Sequence, residues 1–190
     1  MKHGETPPVS ANQRYGGVAI AFHWVLAVAI LGAFAVGLYL EGLPFSPAKL
    51  KLINWHKWAG VTILALSVLR LLWRVTHRPP ALPAAIQAAM PRWQHLAHHG
   101  THHLMYLLFF AVPLLGWAAS SAKGFPIVWL GVLPLPDLLP VNQDLGKTLQ
   151  GLHGLAAWGL IGLVGLHVAA ALKHQFIDRD GLLNRMRPGR

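Results

Sequence analysis

Four histidines stand inside otherwise apolar stretches of this 190-residue chain: His23, His56, His153 and His167. In such a setting an imidazole hydrogen-bonds, shuttles a proton, or ligates a metal through its neutral nitrogen. An ionisable group in an apolar span is costly, so such residues usually mark function. His153 and His167 are fourteen residues apart, which on a helix leaves them about 40° apart around the axis and about 21 Å apart along it. Both look into one interior from opposite ends. The chain has no cysteine, which excludes disulfides, thiolate metal sites and covalent haem attachment through Cys-x-x-Cys-His.

The elements that position these histidines follow from composition. Hydrophobic residues make up 54% of the chain and charged residues 12%, with a mean hydropathy of +0.45. A soluble domain carries about 25% charged residues, so an ordinary soluble protein and a disordered one are both excluded. Four apolar runs of spanning length are expected as helices over 18–40, 53–75, 102–121 and 149–172, because backbone groups in lipid must be satisfied within their own segment. Pro79, Pro80 and Pro83 mark the second connection, and Pro126, Pro134, Pro136 and Pro140 the third, which is expected to lie partly at the interface around Trp129. Short connections favour a single antiparallel all-α four-helix bundle.

The net charge of +10 sits at the ends of these runs, where membrane topology accounts for it better than nucleic-acid binding does. Eleven Lys and Arg, among them Lys2, Arg14, Arg70, Arg74, Arg78, Arg92 and five beyond the fourth run, fall on one side. Lys49, Lys51, Lys57, Lys123 and Lys147 fall on the other. The positive-inside rule puts both termini in the cytoplasm of an inner-membrane protein.

In that bundle His23 and His167 share the cytoplasmic depth, and His56 and His153 the periplasmic one. A single intramembrane histidine is more often a hydrogen-bonded structural residue than a ligand. Four at paired depths favour two bis-histidine haems stacked across the bilayer. Gly60, Gly151, Gly154, Gly162 and Gly165 would leave room for a flat porphyrin, although such glycines also serve helix contacts.

Ile20-Ala21-Phe22-His23-Trp24, His56 followed by Arg70 and Arg74, the run from His102 to Gly116 and above all Gly165-Leu166-His167-Val168-Ala169-Ala170-Ala171-Leu172-Lys173-His174, then Asp180-Gly181-Leu182-Leu183, resemble the bacterial cytochrome b561 membrane proteins. The resemblance covers nearly the whole chain. It implies two b-type haems in four helices, ligated by His23, His56, His153 and His167, and for one kind of member a superoxide oxidase that reduces ubiquinone. The chain departs from the family where Trp-His-Glu is often seen, having Leu152-His153-Gly154.

On that reading Lys49, Lys51 and Lys57 around His56 form a surface that collects an anionic donor; the alternatives are snorkelling to headgroups or counter-charge for haem propionates. Arg70 repeats the fourteen-residue offset from His56, and Arg74 lies a turn further. Either suits a propionate or a quinone oxygen, while His174 suits a proton relay from the cytoplasm. His95, His98, His99, His102 and His103 fall on one helical stripe; His99 or His102 fits the quinone or propionate environment, and an interfacial face accounts for the others. Trp24, Trp55, Trp58, Trp73 and Trp93 read as an aromatic belt, with Trp24 and Trp58 in reach of a haem or quinone. Two other functions stay open: a haem b subunit or anchor passing electrons to a partner redox subunit, and a histidine-lined metal transporter without haem.

Overall fold

The computed structural model describes residues 14–82, 86–87 and 91–189, with the side chains of 92–99 outside the description. Expectations resting on Lys2, Pro83 and the side chains of Arg92, Trp93, His95, His98 and His99 lie outside the described residues.

Helix α1 spans Gly17–Gly42, α2 Pro47–Thr76, α3 Arg92–Ala122 and α4 Gln143–Lys173. Each is long and apolar enough to cross a membrane, α3 over Gly100–Ala122. The apolar side chains turned outward, among them Val28, Val75 and Leu155, are those a bilayer would cover. The helices outrun the apolar segments read from sequence, and at the starts of α2 and α4 a side-chain cap rather than hydropathy sets the boundary. Ser46 accepts from the Lys49 amide at 3.2 Å ahead of Pro47 at the first helical position, which starts α2 six residues before Ile53. Asn142 does the same for the Leu145 amide at 3.0 Å and starts α4. Helix α3 begins ten residues before His102, so the histidine stripe is helical backbone throughout.

The third connection holds the only strands among the described residues, a ribbon of β1 (Val128–Trp129) and β2 (Leu133–Pro134) paired antiparallel. Its turn places Leu130 at φ 54° and Gly131 at φ 75°, a left-handed geometry that suits glycine and strains leucine. The indole of Trp58 donates to the Val128 carbonyl at 2.6 Å, Lys57 Nζ to the Phe125 carbonyl at 3.1 Å, and Trp129 Nε1 to Thr62 Oγ1 at 3.2 Å. Three bonds thus tie the ribbon and the segment leading into it to α2, all within two turns after His56.

The bundle is built from two hairpins, α1–α2 and α3–α4, joined along α2 and α3; the backbone of α4 stays apart from α1 and α2. At mid-height Leu26 and Ile30 of α1, Ile63 of α2, Met105 and Phe109 of α3 and Leu160 of α4 form one apolar layer across that gap.

The C-terminal segment clasps the opposite end of the chain. Helix α4 passes into a π turn, His174–Asp178, then a left-handed Arg179 (φ 52°) and a short 3-10 turn, Leu182–Arg185. Arg185 is buried, its Nη2 donating to the Pro80 and Ala81 carbonyls at 2.7 and 2.9 Å, and its guanidinium stacks over Tyr15. Its carbonyl accepts from the Tyr15 amide, and that of Met186 from Trp24 Nε1 at 2.9 Å. Arg185→Ala removes both charge-assisted bonds to the Pro80 and Ala81 carbonyls, at a cost of about 3 kcal/mol. Limited proteolysis of the C-terminal tail is expected to accelerate by about two orders of magnitude with the helices intact; an unchanged rate would show that the clasp contributes nothing.

Candidate functional site

The four intramembrane histidines meet in two layers, one on each side of the apolar mid-layer. Toward the β ribbon, His56 of α2 faces His153 of α4 with ring centroids 6.1 Å apart; at the opposite end His23 of α1 faces His167 of α4 at 6.2 Å. Two imidazoles ligating one metal from opposite sides have centroids roughly 6 Å apart, from a metal–nitrogen bond of about 2 Å plus the ring's own radius on each side. Both pairs have that spacing, and both span the gap between α4 and the α1–α2 hairpin, where a flat group has room. Gly60, Gly151, Gly154, Gly162 and Gly165 border open space, with no atom within 4 Å of the position a Cβ would take.

The pair toward the ribbon, the outer one in the expected orientation, is backed by two glycines that sequence reasoning missed. A Cβ on Gly37 would lie 3.4 Å from His56 Cε1, and one on Gly116 only 3.1 Å from both Cε1 and Nδ1 of His153. Each histidine therefore rests on a glycine of its own hairpin partner. In α3, Pro113 interrupts the backbone ladder, and the adjacent Val112 carbonyl lies 2.9 Å from His153 Nδ1. A protonated Nδ1 donates there, leaving the Nε2 lone pair toward His56. His56 has the Ala33 backbone as its hydrogen-bonding neighbour, and Ser67 Oγ is buried without a hydrogen bond.

The inner pair has a different surround. His102 of α3 sits edge-on to His167 with centroids 5.3 Å apart, so three histidines converge here. Arg70 lies within electrostatic range of both His23 and His167. Arg70 and Arg74 both stack over the ring of Tyr106, at 5.6 and 5.4 Å. Trp24 packs edge-on against His23 at 5.4 Å. His174 turns away toward the tail, its Nδ1 2.6 Å from Asp180 Oδ2 and 3.2 Å from Asp178 Oδ2. These three form the one group of metal-ligand type gathered among the described residues, and the Lys173 ammonium already holds Asp178 at 2.6 Å.

The lysines at the outer end all have intramolecular partners. Lys49 Nζ donates to the Leu43 carbonyl at 2.7 Å, Lys51 covers the Trp55 ring at 5.1 Å, and Lys57 is the ribbon tether described above. Their charge remains at this face while their side chains are held. Lys123 Nζ donates to Gln150 Oε1, and Lys147 pairs with Asp144 at 3.3 Å.

Glycine backing and a carbonyl aimed at Nδ1 carry no local sequence signal, since they depend on which turn of a neighbouring helix arrives there. The same is true of Tyr106 under two arginines, although Tyr106 lies four residues after His102 on the same helical face.

Comparison with known proteins agrees with this geometry. Residues 14–189 match the family described as prokaryotic cytochrome b561. The chain is 36% identical over 175 residues to cytochrome b561 homolog 2 of Escherichia coli (strain K12), covering 92% of this chain and 91% of that protein. It is 32% identical over 182 residues to a Yersinia pestis protein named "Probable superoxide oxidase CybB", covering 93% and 97%, and 29% identical over 183 residues to cytochrome b561 homolog 1 of Escherichia coli (strain K12), covering 93% and 98%. The chain thus belongs to the prokaryotic cytochrome b561 family, and is a multi-pass inner-membrane electron-transfer protein of the b-type haem class.

Proposed function

We propose that this protein is a superoxide:ubiquinone oxidoreductase with two b-type haems, one between His56 and His153 and one between His23 and His167. The observation that carries the reading is the pair of facing imidazole layers, of equal spacing, on opposite sides of a closed apolar layer. The similarity to a protein named as a probable superoxide oxidase supports the choice of donor. Haem iron supplies the one-electron redox chemistry when bound. Two superoxide anions each give up one electron and leave as dioxygen; one ubiquinone takes up two electrons and two protons.

The protein's part is to hold ligands, charges and protons in place. Val112 fixes the tautomer of His153, and Gly37 and Gly116 set how closely the outer rings approach. At the inner end Arg70, within electrostatic range of both ligands, would meet a propionate or a quinone carbonyl, with His102 beside it. The His174–Asp180 pair holds a proton source at the cytoplasmic face, where quinone reduction consumes protons.

Stopped-flow mixing of the haem-loaded protein with superoxide tests the reading. Reduced-haem absorbance is expected to appear and then to decay only when ubiquinone is present. Reduction by dithionite but not by superoxide would leave an electron carrier for some other donor. Replacing Lys49 and Lys51 with glutamine is expected to slow the bimolecular phase about ten-fold at low ionic strength and to flatten its salt dependence. An unchanged salt slope would remove steering from the account.

A further inference from the structure

At the cytoplasmic end of α2 the protein has a second polar feature, which adjoins the inner histidine pair through Arg70 and extends beyond it. Arg70, Arg74 and Arg78 line a cavity of about 230 Å³ together with Tyr15, Tyr106 and Trp73. Among the described residues no carboxylate pairs with any of the three. Asp178 and Asp180 are taken by Lys173 and His174, Asp144 by Lys147, and Glu41 and Asp137 lie toward the opposite end of the bundle. The start of α1 opens onto the same cavity, lined there by Gly16 and Ala19. That helix has no side-chain cap and no acidic residue in its first turn, so its first amides add further unneutralised donors.

We propose that this cavity is a receptor for a phosphate group, with the headgroup of an anionic phospholipid as its source. Arg74 and Arg78 are the principal ligands. Arg70, closest to the inner histidine pair, remains available to the haem side. Two guanidiniums beyond Arg70 exceed what a neutral quinone requires, and bidentate guanidinium–phosphate pairing satisfies them directly. The volume lies below the roughly 300–1,000 Å³ of pockets that enclose a whole drug-sized ligand, which suits a headgroup whose chains stay outside. Those chains have a place: Leu72 and Val75 of α2 and Val18 of α1 are exposed, next in the chain to the cavity-lining Trp73, Arg74 and Ala19. Tyr15, Trp24 and Trp73 mark the headgroup level, and basic pockets between helices on the cytoplasmic side are where anionic lipids are held.

The proposal is independent of which donor and acceptor the haems serve, and its test reads binding rather than turnover. The haem-loaded protein in detergent is titrated with phosphatidylglycerol, phosphatidylcholine and inorganic phosphate, and adducts are counted by native mass spectrometry. Phosphatidylglycerol is expected to bind about ten-fold more tightly than phosphatidylcholine, and Arg74→Gln with Arg78→Gln to abolish that preference. Lys49→Gln with Lys51→Gln, at the opposite end, is expected to leave it intact. Displacement of the lipid by millimolar phosphate would identify the free anion as an equal source; retention of the lipid would identify the phospholipid. A preference that survives the double arginine variant, or falls equally in the lysine variant, overturns the proposal as unspecific surface charge. Loss of haem from the arginine variant with lipid binding unchanged overturns it in favour of the haem carboxylates.

Discussion

His167→Ala is expected to lower the haem content from about two per chain to about one, and to abolish ubiquinone reduction while superoxide still reduces the haem that remains. On the proposed reading His23 and His167 hold the inner haem, and removal of one axial ligand from a bis-histidine site leaves no replacement from α4 among the described residues. The outer pair should not notice. It lies beyond a mid-layer in which Leu26, Ile63, Phe109 and Leu160 are all buried and packed together, so the loss stays local. His102, with its ring 5.3 Å from that of His167, makes the comparison sharper. His102→Ala is expected to keep both haems, because its ring approaches from α3 beside the pair and not across the gap. Pyridine haemochrome quantitation and the reduced-minus-oxidised spectrum read both variants. Two haems in His167→Ala, or one in His102→Ala, would reassign the inner ligand.

Gly116→Leu is expected to act on the other end with similar force. Its Cβ alone would stand 3.1 Å from His153, and the rest of the side chain has to enter space the imidazole occupies. The ring must swing off the Val112 carbonyl, losing both its position and the bond that fixes its tautomer. Overpacking of this kind costs about 1–3 kcal/mol, and loss of a ligand's outer hydrogen bond alone costs about 10–100-fold in metal affinity. The expected result is loss of the outer haem, loss of superoxide-driven reduction, and an inner haem that quinol still reduces. Gly37→Ala, where the contact is 3.4 Å, should be milder. Gly32→Leu, with no atom within 4 Å of its Cβ, is the control that separates local displacement from general intolerance of bulk. If Gly32→Leu and Gly116→Leu behave alike, the glycine is not positioning His153.

The large features were legible because lipid makes them one-dimensional. An apolar run of sufficient length has to be a helix, successive runs have to be antiparallel, and equal depth then pairs His23 with His167 and His56 with His153. The ends of the helices were less legible. Ser46-Pro47 and Asn142 announce helix starts in the sequence, but a search for apolar length passes over them. The short ribbon at Val128–Pro134 escaped because Leu130 occupies a left-handed position that leucine seldom takes. The supports of the site were hidden for a different reason. The contacts of Gly116, Val112 and Arg185 are made across 37, 41 and about 105 residues of chain, and periodicity within one segment says nothing about which turn of another arrives opposite it. The glycines picked out along α2 and α4 border open space, whereas the two that touch a histidine lie on α1 and α3.

The apolar layer at mid-height has an electrical consequence. Leu26, Ile30, Ile63, Met105, Phe109 and Leu160 offer no group that can pass a proton on. Electrons can tunnel through such a layer, and protons have no chain of donors to follow. An electron carried inward in the proposed orientation therefore crosses alone and moves against a membrane potential that is negative inside, at about 2.3 kcal/mol per 100 mV for a full crossing. Turnover should then generate voltage, so that an energised membrane slows this protein and a depolarised one releases it.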